Sequence, residues 1–300
     1  MVTFRSTVRL LAMLVGASAG LVRGQSARPE VKAQTLSVAE IMARVGANYD
    51  HGEAVRNEYV YKQHVHIVTH KPQGRIVREE TADYDVETQP LGVQKHLRSL
   101  TGRYWSKDKY VEFQGEQLPG NTRGELVDYL RNHEAVPGST DADLIRNLRN
   151  FVTNDKAKDG LGGALFPLTS DAQKDYEFTL LGPEVEAGRN VYRIAFTPKD
   201  KDSAELMWSG EAFIDAVEFQ PVRVFTRMSK RIPLLVRTTW FDLPGFGFDV
   251  VYKRQEDGVW FPSTFGTEFQ MHVGPLFFMN RDISISLENS GFEHTHEEPK

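Results

Sequence analysis

Along most of the chain, apolar side chains recur at every second position. Tyr59, Tyr61, Val65 and Ile67 share one side of a stretch whose other side carries Lys62, His64 and His66. That period of two is the mark of a half-buried β-strand. The same alternation runs through Ile76 to Val86, Tyr192-Ile194-Phe196, Leu234-Val236-Trp240, Phe246-Phe248-Val250-Tyr252, Phe261-Phe265-Phe269-Met271 and Phe277-Met279-Ile283-Ile285-Leu287. The stretch GEAFIDAVEFQPVRVFTRM, Gly210 to Met228, reads as strand, turn, strand, with Val222, Val224 and Met228 on one side and Arg223 and Arg227 on the other. The links are short: Lys71 to Gly74, Val185 to Gly188, Ala216 to Pro221, Pro244-Gly245 and Glu256 to Gly258. Short links join neighbours, so about ten strands, mostly in the second half, form an antiparallel meander with one greasy and one wet face.

A period of 3.6 interrupts this pattern in three places. Ser37 with Glu40 forms a capping-box pair ahead of Val38, Ile41, Met42, Val45 and Tyr49, which predicts a helix over Val38 to Tyr49. Thr122 with Glu125 opens a second, carrying Leu126, Val127 and Leu130, and Thr140 a third, carrying Leu144, Ile145, Leu148, Phe151 and Val152. Pro137-Gly138 separates the last two.

Three short helices cannot cover the greasy face of so large a sheet, and exposed apolar area costs roughly 25 cal/mol per Å². The alternation is compatible with a closed barrel, a two-layer sandwich, or a half-open cup whose remainder holds a hydrophobic ligand.

The first residues are set apart from this pattern. Arg5 and Arg9 precede an apolar run, Leu10 to Val22, which ends among small residues. A membrane-spanning helix needs roughly 20 residues, so this shorter run is expected to be a secretory signal peptide, taken as residues 1–24, with cleavage after Ala19 or Gly24. Residues 25–36 then form a polar tail, 37–292 one domain, and 293–300 a second polar tail. The chain has no cysteine, which removes a disulfide scaffold, a thiolate metal site and a lipid-bearing N-terminal cysteine. With Gly24 as the cut, Arg5, Arg9 and Arg23 are lost from 36 basic residues, leaving 33 against 41 acidic, or −8. An acidic chain disfavours nucleic acid as partner.

LSVAEIMARVGANYD followed by NEYVYKQHVHIVTH, the pair GRNVYRIAFTPKD, and WSGEAFIDAVEFQPVRVFTRM together resemble the periplasmic outer-membrane lipoprotein-sorting, or LolA-like, superfamily. In that superfamily a strand ending in an Ile-Asp or similar pair turns through a Pro-containing link into the next strand. The resemblance implies a mainly β (α+β) fold: a strongly curved antiparallel half-barrel whose few helices cover the concave face, with an apolar cavity for acyl chains. This chain is longer than a minimal carrier of that kind, with two helices and GLGGALFPL inserted mid-chain. Joined to the excess of apolar side chains, the resemblance makes Val222, Val224, Met228, Trp240, Phe261, Phe265, Phe269, Ile283 and Ile285 the expected cavity lining, with Arg223 and Arg227 facing water.

Candidate chemistry adds little. His64 and His66 share a strand face, which His70 extends, but no third metal ligand is evident beside them, and a solvated polar face is the expectation. His294, His296, Glu297 and Glu298 cluster on the C-terminal tail. The Gly-x-Ser-x-Gly match GASAG lies inside the signal peptide, and GLGGAL at Gly160 lacks the last glycine of a dinucleotide fingerprint. No catalytic residue, resident metal or cofactor is therefore expected. Arg223, Arg227, Lys230, Arg231 and Arg237 gather around one hairpin, either as edge-protecting charge or as a docking patch for anionic headgroups or an acidic partner. Phe246 and Phe248 read as inward residues or as a rim, and GGALFPL as a flap. The expectation is an exported, periplasmic, monomeric, non-enzymatic protein that binds lipid or the acyl chain of a lipoprotein, with transient membrane-surface contact. The alternatives are an envelope sensor or scaffold using the same cup, and a periplasmic hydrolase.

Overall fold

The computed structural model describes residues 36–89, 92–115, 139–153, 166–199, 208–228, 241–242, 246–273 and 279–295. The expected signal peptide, the helix opening at Thr122 and the strand Leu234 to Trp240 lie outside these residues.

Helix α1 spans Val38–Arg56. The capping box forms as its sequence demands: the Ser37 backbone N–H donates to Glu40 Oε2 at 2.8 Å, and Glu40 N–H donates to Ser37 Oγ at 3.3 Å. These bonds hold the Glu40 carboxyl below its ordinary range, first through the Ser37 backbone. The helix runs seven residues past the predicted end at Tyr49. Arg56 secures the extension, since its guanidinium lies 4.1 Å from the Tyr49 ring and donates to the Tyr49 carbonyl at 3.1 Å.

Twelve strands follow among the described residues: β1 Tyr59–His70, β2 Ile76–Gln89, β3 Gly92–Ser106, β4 Lys109–Gln114, β5 Tyr176–Glu186, β6 Arg189–Pro198, β7 Trp208–Asp215, β8 Pro221–Met228, β9 Phe241–Asp242, β10 Gly247–Arg254, β11 Trp260–Val273 and β12 Met279–His294. Helix α2, Ser139–Val152, and a 3-10 turn, Ala172–Asp175, lie between β4 and β5. The strands make one antiparallel sheet in the order β4-β3-β2-β1-β12-β11-β10-β8-β7-β6-β5, with β9 paired to β11. The sheet is open, not a closed barrel, and β4 and β5 are its ends. The fold is thus mainly β, a curved half-barrel sheet with few helices, and one open sheet excludes the closed barrel. So wide a sheet curls because each strand pair adds right-handed twist.

The pairing of β1 with β12, in the middle of the sheet, joins the first and last described strands of the chain. It also explains why β12 continues through Glu293 and His294, residues expected in a tail: Tyr59 pairs with His294, and Thr295 N–H donates to the Glu58 carbonyl at 2.7 Å.

Strands β3 and β4 were not predicted. GVQKHLRSLTGRYWS lacks a clean alternation, and most of its side chains are exposed or half-buried. Its strand conformation comes from pairing with β2, from Arg78 opposite Tyr104 to Gln89 opposite Gly92.

Candidate functional site

The register places ten apolar residues in one line across the sheet. Leu100, Ala82, Val65, Leu287, Phe265, Val250, Val224, Ala212, Ile194 and Leu180 are successive cross-strand partners from β3 to β5. At roughly 4.8 Å per strand, nine steps give a contour of about 43 Å. All but Leu180 are buried.

Of the expected lining residues, Val222, Val224, Phe265, Phe269, Ile283 and Ile285 belong to one core cluster, and half-buried Met228 packs against it. Trp240 lies outside the described residues. Phe261 is buried but sits in an aromatic group apart from that cluster, with ring centroids 4.6 Å from Phe292 and 4.8 Å from Tyr59. The separation follows from irregular pairing at this end of β11, whose register with β10 shifts between the Val251 and Tyr252 pairs.

The protein covers this face with its own side chains. Ile41, Met42 and Val45 from α1, Ile145 and Val152 from α2, and Phe166 and Leu168 join the cluster. In the GGALFPL stretch, Gly162 to Leu165 lie outside the described residues, whereas Phe166 is buried with its ring edge-on to Phe196 at 4.9 Å. Phe246 and Phe248 both pack on the cluster, 4.9 Å apart. Beside them Phe151, at the end of α2, stays 40% exposed although its ring lies 6.3 Å from Phe248.

The face is not uniformly greasy, and here the sequence reading needs correction. The buried side of β2 carries Arg78 and Glu80, 3% and 5% exposed, next to Ala82. Glu80 sits 3.6 Å from Arg78 Nη2 and 2.9 Å from Arg149 Nη1 of α2. A second buried carboxylate, Asp141 of α2, accepts from Nε and Nη2 of Arg281 on β12 at 2.7 and 2.8 Å. Asp141, Ile145 and Arg149 are spaced four apart and share the inner face of α2, so the helix meets the sheet through two ion pairs with an isoleucine between them. Gly102 is required here, since a Cβ would meet the Glu79 carbonyl at 2.3 Å and the Phe113 ring at 2.5 Å. Its smallness lets Phe113 fold over Arg78, 4.3 Å from the guanidinium. Sequence reasoning missed these residues because α2 could not be placed on the sheet; the sign that was available is Arg78 and Glu80 in phase with the buried Ala82.

Arg223 also departs from expectation. It is half-buried, not turned freely to water: it donates to both Asp249 oxygens at 2.9 and 2.6 Å and reaches Glu186 at 3.1 Å. The hydrogen bond to Asp249, chiefly, raises its pKa. Arg227 is exposed as predicted, while Lys230, Arg231 and Arg237 lie outside the described residues.

The Ile214-Asp215 pair gains a physical role. Asp215 Oδ1 accepts the backbone N–H groups of Val217 and Glu218 at 2.9 and 2.8 Å, and Oδ2 accepts from Arg189 at 2.9 Å. Burial pushes its carboxyl up, but these donors together hold it below the ordinary range. The aspartate fixes the turn into β8, where Phe219 adopts φ +51°.

On the polar side, His64 Nδ1 meets Asp83 at 2.7 Å and His66 Nε2 meets Glu79 at 2.9 Å. Among the described residues no group of three or more His, Cys, Asp or Glu is arranged to hold a metal ion, and no helix is long and apolar enough to cross a membrane. A groove of about 560 Å³ is lined by His70, Glu268, Gln270, Asp282 and Ser284 with Phe269 and Ile283. Its five polar residues alternate with the core positions, which makes it a groove of the wet face.

No family model matches the sequence, and no curated protein does. Solved structures similar to this chain include a domain assigned as an outer membrane lipoprotein-sorting protein from Vibrio parahaemolyticus, with 14% identity, TM-score 0.36, and 86% of this chain and 95% of that one covered. A LolA superfamily protein from Nitrosomonas europaea has 14% identity, TM-score 0.33, and coverages of 88% and 96%. Lipoprotein LppX of Mycobacterium tuberculosis has 11% identity, TM-score 0.27, and coverages of 85% and 96%. These neighbours include the superfamily that the sequence resembles. Similarity this loose carries no argument about what the chain binds.

Proposed function

We propose that the protein is an exported, periplasmic, non-enzymatic carrier that takes a lipid or the acyl chain of a lipoprotein onto the concave face of its sheet. One observation carries the reading: the apolar line from Leu100 to Leu180 crosses ten strands, far more than the two helices among the described residues span. Helices α1 and α2 cover parts of that face in the present structure, and uptake requires them to shift. The exposed Phe151 beside Phe246 and Phe248 marks an aromatic rim at the end of α2. Each methylene buried contributes about 0.8 kcal/mol, so a long chain binds usefully without a specific polar contact.

Titration with a fluorescent fatty acid tests the reading. Saturable uptake is expected, with Val224→Asp and Phe265→Asp reducing it at least tenfold and Val217→Asp, on an exposed turn, leaving it unchanged. Organic extracts of the purified protein are expected to contain lipid by mass spectrometry. A wild-type protein that shows neither saturable uptake nor extractable lipid makes the face a closed core and removes the proposal.

A further inference from the structure

Arg78 is a buried cation with an incomplete set of partners. Its Nε is buried without a hydrogen-bond acceptor among the described residues. The carboxylate nearest to it, Glu80, stands 3.6 Å away and is held more closely by Arg149, at 2.9 Å. The rings of Phe113 and Tyr104 approach the guanidinium to 4.3 and 5.7 Å, and ring faces offer a cation some electrostatic compensation but no in-plane acceptor. Removal from water is accordingly the largest influence on this group, and it pushes the guanidinium below its ordinary pKa despite Glu80. Proteins satisfy buried guanidinium groups with carboxylate or phosphate oxygens, because desolvating such a charge unpaired is costly.

The position of Arg78 says what kind of oxygen anion would come. In the register, Arg78 is opposite Thr69, Thr69 opposite Ile283, and Ile283 opposite Phe269. Three strand steps, roughly 14 Å, lead from the cation to the apolar residues expected to hold a chain. Thr69 is fully buried between them, and its hydroxyl donates to the Arg78 carbonyl at 3.4 Å, so it offers a chain its methyl-bearing side chain without an unspent donor.

We infer that Arg78 is the headgroup subsite of the concave face and that the cargo is an amphiphile with an anionic oxygen head, a carboxylate or a phosphate, whose chain crosses β1 and β12 toward β11. The inference rests on the carrier reading and narrows its ligand class. Head binding gives the buried Arg78 Nε an acceptor that Glu80, 3.6 Å from Nη2, does not supply.

Displacement of a bound fluorescent fatty acid by three competitors of equal chain length tests this in the full chain: hexadecanoate, hexadecyl phosphate and hexadecanol. At least one of the two anions is expected to compete about tenfold better than the alcohol, the effect of one added charge-assisted hydrogen bond, and which one does so tells carboxylate from phosphate. Arg78→Met is expected to bring the anions' competition down to that of hexadecanol measured in the same variant, and Arg78→Lys to keep part of the preference. Equal competition by all three in the wild type overturns the headgroup subsite even if Arg78→Met fails to fold, and leaves the carrier reading standing. A preference that survives in folded Arg78→Met overturns it as well. Absence of saturable uptake of the fluorescent probe overturns both readings together.

Discussion

The two faces of the β1–β2 pair use the same kinds of charged residue to opposite effect. On the wet face, His66 and Arg103 both engage Glu79, and His64 and Ser99 engage Asp83. These groups are partly solvated, and water screens what they gain from one another. On the buried face, one strand position away, Glu80 lies between Arg78 and Arg149 with side-chain exposures of 6% and below. There the groups have left water, and what they gain from one another is not screened by it. The difference teaches that charge on the buried face ties α2 to the sheet, whereas charge on the other face pairs across strands in contact with water.

Replacing Glu80 by Ala is the severest way to break the comparison. It leaves two buried guanidinium groups without their shared carboxylate, and a loss of about 3–5 kcal/mol in denaturant unfolding is expected. Replacing Arg78, Glu80 and Arg149 together by Met sharpens it: the triple variant is expected to be at least as stable as Glu80→Ala by several kcal/mol, since apolar substitutes carry no desolvation penalty. A triple variant no better than the single one would show that the cluster contributes net attraction.

Asp215 is intermediate, buried but satisfied by backbone donors. Asp215→Asn is expected to cost about 1–3 kcal/mol. The wild-type carboxyl is depressed relative to the unfolded chain, so its contribution is present above the unfolded value near 3.9 and is lost as pH falls through the lower folded value. The stability gap between wild type and Asp215→Asn is therefore expected to be constant at neutral pH and to close in acid, as read from urea midpoints. A gap that does not close would mean that the asparagine variant disturbs the turn through its shape and not its charge.

The smallest effect belongs to the wet face. Asp83→Asn is expected to change stability by about 0–1 kcal/mol, less at high salt. Asp83 is held below its ordinary range by Ser99 first and His64 second, so whatever it contributes likewise disappears as pH falls below that of an unperturbed carboxylate. A loss as large as that of Glu80→Ala would erase the distinction between the two faces.

Legibility in the sequence tracked how much each element depends on its own residues. The capping box of α1, the alternation of β1, β2, β6, β8 and β10 to β12, and the turn after Ile214-Asp215 were all readable, because local spacing decides which side of an element is buried. Strands β3 and β4 were not readable, since their pairing with β2 overrides a weak pattern. Six of the expected lining residues share one core cluster, whereas irregular register at the end of β11 sets Phe261 apart from them, beside Tyr59 and Phe292. The charged end was invisible: Arg78, Glu80, Asp141, Arg149 and Arg281 come from three separate parts of the chain.

By itself the sequence determined antiparallel neighbouring strands with one apolar and one polar side, because a period of two sends alternate side chains to opposite faces and short links join neighbours. Only the tertiary structure decided that the sheet stays open, that Leu100 and Leu180 stand at opposite ends of one apolar line, and that α2 lands on Glu80 and Arg281. Those outcomes depend on cross-strand register and helix docking, which are set by contacts between residues far apart in sequence and leave no periodic trace in either partner.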